Sequence, residues 1–216
     1  MLYESAYFSL FVQAIAGAIN IYGINMNIPK NLQIFKDFLK IEFVVQIIEF
    51  IFYVWMILNF SNKKNITQFR YFDWIITTPI MLIALMAYLD DNKPKTLYEY
   101  VINNKDLIMR VVGLYLLMLI LGLFGELQLI NYNMAITLGF IPFVYYFKLI
   151  YDKYMNKKVS NDKFRLFWFF FIIWTLYGVV AYFPYEQKNT AYNILDLFSK
   201  NLFGVFLVYI LSKFKK

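Results

Sequence analysis

Seven stretches of mainly apolar residues run along this chain, at 4–26, 36–59, 66–89, 106–124, 128–151, 164–183 and 190–212. Each is long enough to cross a hydrocarbon layer about 30 Å thick as a helix. The few polar residues inside them fall at helical spacing. In the first, Ser9, Gln13, Gly17 and Asn20 follow at steps of four, four and three, a polar stripe on one face. In the second, Glu42, Gln46, Glu49 and Tyr53 repeat at four, three and four. Carboxyls facing lipid are costly, so this face is expected to look onto protein or a water-filled cavity. Glu42, roughly 9 Å from the start of its span, has the alternative of sitting at the membrane interface. The third span carries Arg70, Tyr71, Asp73, Trp74, Thr77, Thr78 and Pro79 as RYFDWIITTP. Here a threonine hydroxyl suits a membrane helix because it satisfies a carbonyl freed by proline. The seventh span holds Asp196 and Lys200, one helical turn apart.

Composition agrees with the pattern. Of 216 residues, 61% are hydrophobic and 22% aromatic, and mean hydropathy is +0.54, which excludes an ordinary soluble domain. The expected architecture is all-α: one seven-transmembrane-helix bundle over residues 1–216 with no room for a soluble catalytic domain, hence not an enzyme. The first span has neither a basic start nor a small-residue cleavage site and reads as a retained helix. The chain carries a net charge of +7, and its Lys and Arg cluster on one side of the spans. Lys30, Lys36, Lys40, Lys93, Lys95, Lys105, Arg110, Lys148, Lys153, Lys157, Lys158, Lys163, Arg165, Lys213, Lys215 and Lys216 would lie inside, and only Lys63, Lys64 and Lys188 outside. That bias predicts an outer N-terminus and a cytoplasmic C-terminus. The positive charge is thus a topology signal and leaves a nucleic-acid partner nothing to explain. The chain has no Cys and no His, which removes disulfides, thiol catalysis, haem ligation by His and most zinc sites.

Lys200 is the residue hardest to place. It lies roughly 15 Å into its span, too deep to reach an interface, so it needs a partner, water or covalent modification. A purely structural ion pair with Asp196 is one answer. Arg70 and Asp73 fall at comparable depth on the third span, so four charges are expected to offset one another in one buried cluster.

The two motifs together point further. RYFDWIITTP resembles the third helix of the microbial rhodopsins, and DLFSKNLFG resembles their seventh, whose lysine binds retinal. The resemblance implies all-trans-retinal held by Lys200 as a protonated Schiff base, with Asp73 and Asp196 as counterions and Arg70 offsetting their charge. It implies a pocket formed by Trp74, Thr77, Thr78, Met81, Met118, Gly122, Trp174 and Tyr177, with Gly139 and Pro142 shaping its ring end. Met81 implies green absorption. Three departures stand out. Gly178 occupies a position where the family usually has proline. Ala84 replaces the carboxylic acid that reprotonates the Schiff base in outward proton pumps, and the outer release acids reduce to Glu186.

The stripes suggest what replaces pumping. Ser9, Gln13 and Asn20, Glu42 and Glu49, and Asn193, Asp196 and Asn201 belong to the first, second and seventh helices, neighbours in this fold, and glutamates along a hydrated route select cations. The arrangement resembles the first group of viral rhodopsins, light-gated cation channels. Ser9, Gln13, Glu42, Glu49, Asn193 and Asn201 are the expected ion pathway. A light-driven outward proton pump, or a photosensor working through a partner helix or the basic loop at 152–163, are the alternatives. Membrane lipid and permeant cations or protons are the partners expected, and a homo-oligomer is left open.

Overall fold

In the computed structural model, residues 1–29, 32–60, 65–92 and 96–213 are described. The chain forms α1 (Leu2–Ile24), α2 (Gln33–Asn59), α3 (Thr67–Leu89), a short α4 (Leu97–Asn103), α5 (Lys105–Glu126), α6 (Tyr132–Tyr154), α7 (Asn161–Val180) and α8 (Tyr185–Asp196). A π-helical turn (Leu197–Asn201) joins α8 to α9 (Leu202–Ser212), so these three make one span of 28 residues. Among the described residues seven helices are long and apolar enough to cross a membrane. Only helices satisfy every backbone group within a single segment in hydrocarbon, which is why the apolar runs fold this way.

Successive spans pack antiparallel, and the seventh returns beside α1, closing the bundle; α2 lies against both α1 and α9, and α3 against α5. Large apolar side chains such as Phe8, Phe11, Ile51, Leu58 and Phe72 point outward, more than half exposed, as a lipid-facing surface requires. The interior holds aromatic packing around Phe143, Phe147, Phe167 and Phe170 together with the chain's buried charges.

The predicted spans and the helices agree within a few residues, apart from three informative differences. The fifth span begins at Tyr132, not 128. Residues 127–131 look apolar, yet Gln128 adopts φ 59°, with Gln128 N–H on Gly125 O (3.0 Å) and Leu129 N–H on Phe124 O (2.9 Å), a Schellman stop that ends α5. Helix α4 sits in what reads as a polar loop, capped by Thr96 Oγ1 accepting from Glu99 N–H. The stretch PYEQKN, read as an outer turn, is the first turn of α8, starting from Pro184. Lys188, counted on the outer side, is therefore helical and only 6% exposed. Of the basic residues behind the orientation, Lys30, Lys63, Lys64, Lys93, Lys95, Lys215 and Lys216 lie outside the described residues.

Candidate functional site

Lys200 sits inside the π-helical turn, 2% exposed, midway along the seventh span. The wider turn inserts one extra residue and so rotates the remainder of the span. Asn193, Asp196 and Lys200 remain on one face, and Asn201 and Gly204 also turn toward the interior: Asn201 is 1% exposed, and a Cβ on Gly204 would come within 2.9 Å of Asn20 Cγ.

Lys200 Nζ donates to Asp73 Oδ2, lies 3.6 Å from Asp196 Oδ1, and 3.8 Å from Glu49 Oε1. Asp196 is shared by several donors. Tyr177 OH donates to its Oδ1 at 2.7 Å, Tyr53 OH to its Oδ2 at 2.7 Å, and Arg70 Nη1 reaches Oδ2 at 3.3 Å. Arg70, fully buried, is held on its other side by Asn193 Oδ1 at 2.5 Å, Asn189 Oδ1 at 3.0 Å and Asn189 O at 3.3 Å. Its guanidinium also lies 5.8 Å from the ring centre of Tyr53 and 5.6 Å from that of Tyr192. The expected four-charge cluster thus exists, and Glu49 joins it as a fifth member. Charges buried this deeply persist only when paired and hydrogen-bonded, a condition that Arg70, Asp196 and Lys200 meet.

On one side of Lys200 opens a cavity of about 140 Å³. Trp74, Thr78, Met81, Met118, Gly122, Trp174 and Tyr177 line it, as does Gly139. Pro142 is buried elsewhere on α6, and Thr77 is buried with its hydroxyl donating back to Asp73 O (2.9 Å) within its own helix. Tyr71 of the third-span motif also lines the cavity, as do Tyr115, Phe140, Tyr146 and Tyr192, which were not singled out from sequence. A Cβ at Gly178 would come within 2.5 Å of Phe140 Cζ, so absence of a side chain lets that ring close the cavity wall. An amine at the end of an aromatic-lined cavity, with a carboxylate on its nitrogen, fits an apolar polyene aldehyde joined to that amine.

On the other side of Lys200, toward α1 and α2, run the polar stripes. Ser9 Oγ donates to Asn193 O (3.3 Å) and Gln13 Nε2 to Ser9 Oγ (3.3 Å). Asn193 also receives Tyr53 OH at 3.1 Å and donates to Ser5 Oγ at 2.9 Å. Deeper in, partners run out. Gln13 Oε1, both amide atoms of Asn20 and Gln46, both carboxyl oxygens of Glu42 and Glu49, and Asn201 Oδ1 are buried without a hydrogen-bond partner among the described residues. Glu42 is 0% exposed and faces the interior of the bundle, not the lipid.

Asn189, which holds the Arg70 guanidinium, is a member of this network that sequence reading passed over. It precedes Asn193, Asp196 and Lys200 at steps of four, three and four, so the stripe itself was its signal.

The chain matches the family model described as bacteriorhodopsin-like protein over residues 5–214. It is similar to the crystal structure of viral rhodopsin OLPVRII, with 25% identity, a TM-score of 0.84, and coverage of 100% of this chain and 99% of that one. Blue light-absorbing proteorhodopsin from Med12 is 20% identical, with a TM-score of 0.77 over 98% of this chain and 97% of that one. Xanthorhodopsin, a light-driven ion pump with dual chromophore, is 18% identical, with a TM-score of 0.73 over 98% and 92%. Among curated proteins none matches the chain by sequence.

Proposed function

Because the chain belongs to the bacteriorhodopsin-like family of microbial rhodopsins, we propose that it is a retinal-binding photoreceptor acting as a light-gated cation channel. Lys200 would hold retinal, with Trp74, Met81, Met118 and Trp174 packing along the cavity. When bound, all-trans-retinal supplies visible absorption and a light-driven displacement of the positive charge at the Lys200 nitrogen. The chain's own residues do the rest. Asp73 Oδ2, already in contact with Nζ, accepts its proton. Tyr53, Tyr177 and Arg70 all donate to Asp196 and so hold its carboxyl in place beside the nitrogen. Loss of the proton from Nζ weakens the attraction that draws Lys200 toward Asp196 and Glu49.

The observation that carries the channel reading is the run of buried polar atoms on Gln13, Glu49, Gln46, Asn201, Glu42 and Asn20 that have no hydrogen-bond partner among the described residues. Buried polar groups are nearly always hydrogen-bonded, and a line of them between α1, α2 and the seventh span is what water and passing cations would satisfy. Carboxyls at Glu49 and Glu42 give that line a preference for cations. Arg70 with Tyr53 and Asn193 closes it at the end bearing the N-terminus, the outer side in this reading. Ala84 provides no inner proton donor, which favours a passive path over a pump cycle.

Photocurrent measured under voltage clamp in two cation gradients tests this. A channel gives current whose reversal potential follows the gradient, and Glu42→Gln or Glu49→Gln changes its conductance or selectivity. A light-driven outward proton pump, which the Lys200–Asp73 contact would also serve, gives current of one sign at every voltage. A sensor gives none.

A further inference from the structure

A second buried ionic cluster lies outside the cavity, at the rim of the bundle where α3, α6 and α8 begin and α5 and α7 end. Lys188 on α8 and Glu126 at the end of α5 are 6% and 7% exposed, and Nζ donates to Oε1 at 2.6 Å. Tyr132 OH accepts from Lys188 Nζ (2.9 Å) and stands 2.9 Å from Glu126 Oε1 and 2.7 Å from Ala181 O. From α3's side, Asn65 Nδ2 donates to Glu126 Oε2 (3.3 Å) and Gln68 Nε2 to Glu126 O (3.0 Å).

What this cluster holds is the pair of helices that carry the Arg70 site. Asn65 Oδ1 accepts from Thr67 N–H (3.0 Å), and Thr67 Oγ1 accepts from Asn189 Nδ2 (2.8 Å). Asn189, next to Lys188, then takes Arg70 Nε on its amide oxygen. The first turn of α3, which bears Arg70, and the start of α8, whose later turns bear its acceptors, are therefore both tied to one carboxylate. We propose that Glu126, Lys188 and Tyr132 form a positioning device: they set the spacing of α3 and α8 at which Arg70 spans Asn189, Asn193 and Asp196. Arg70 thereby compensates the charge of Asp196 only while the cluster is intact. The inference rests on the pigment reading and is independent of whether the protein conducts.

The test uses the full chain reconstituted with retinal, comparing wild type with Glu126→Gln, Lys188→Met and Lys188→Arg. Two quantities are read: the pH midpoint of the acid-induced colour change, which reports carboxylate charge beside the Lys200 nitrogen, and the melting temperature. The midpoint is expected to move to higher pH by roughly one unit or more in Glu126→Gln and Lys188→Met, and to return near wild type in Lys188→Arg. Variants that melt earlier but change colour at the wild-type midpoint would reduce the cluster to a staple and overturn the proposal. So would a Lys188→Arg displacement as large as that of Lys188→Met. If Lys188→Met does not fold, the near-isosteric Glu126→Gln decides alone. A colourless wild type would sink the pigment reading and this inference together, whereas a coloured wild type with unshifted variants sinks only the inference.

Discussion

At the scale of single residues, Lys200 organises the interior. Its nitrogen meets carboxyls from three helices, Asp73 on α3, Glu49 on α2 and Asp196 on α8, each brought from a different part of the chain. Replacing it with Ala removes the only amine lining the cavity among the described residues. Lys200→Ala is therefore expected to give a protein without a visible absorption band after incubation with retinal, and the spectrum of purified, size-homogeneous material checks this. Retained colour would mean that retinal is held elsewhere. The motif residues at this scale were legible because the chemistry requires residue types at helical spacing on two identified spans. Glu126 and Lys188 were not legible. They lie 62 residues apart in chain order, and no periodicity links the end of α5 with the start of α8.

At the scale of elements, two devices connect helices across the bundle. The π-helical turn places Asn201 and Gly204 beside α1, where the close approach of Asn20 needs a residue without a Cβ at Gly204. The second device lies opposite the Arg70 rim, just beyond α3. Asp91 receives Lys163 of α7 at 2.7 Å and Lys157 of the preceding loop at 2.9 Å, and Lys163 Nζ also donates to Leu89 O. These two ammonium groups lower the Asp91 carboxyl to about 2, below the usual value near 3.9. The contribution of this tie is therefore complete above roughly pH 4 and is lost as pH falls through about 2. Because Asp91 is half exposed, the gain is screened and small. Asp91→Asn should lower the melting temperature slightly at pH 6, with the difference from wild type shrinking toward zero near pH 2. A difference that stayed constant over that range would show that the charge does not hold α7 to α3. From sequence, α7 and the end of α3 each read as clear segments, but their tie depends on loop geometry that apolar periodicity does not encode.

At the scale of the whole molecule, the ring of seven spans separates two interiors on either side of Lys200, one aromatic and one polar. The aromatic side has the shape of a ligand cavity; the polar side is the run of unpartnered groups along α1, α2 and the seventh span. The Lys and Arg excess at one end predicts the orientation in the membrane. The chain contains no cysteine, so single introduced cysteines report it cleanly. Leu129→Cys, in the turn after α5, is expected to react with an impermeant thiol reagent applied outside intact cells, and Asn156→Cys, in the loop after α6, only after lysis. The reverse pattern would invert the assignment of outer and inner mouths.

Seven membrane crossings, a lysine too deep to be solvated, and the third and seventh spans as the source of the residues offsetting its charge all follow from the order of residues along the chain. These conclusions come from local quantities: run length, helical spacing and the cost of charge in hydrocarbon. Which carboxyls reach Lys200, Glu49 among them, the full burial of Glu42, and the knot of five helix ends around Glu126, Lys188 and Tyr132 came into view with the packed bundle. Those depend on helix rotation, on one extra residue in the π-helical turn and on where each helix stops. Packing between distant segments settles all three, and no pattern within a single segment contains them.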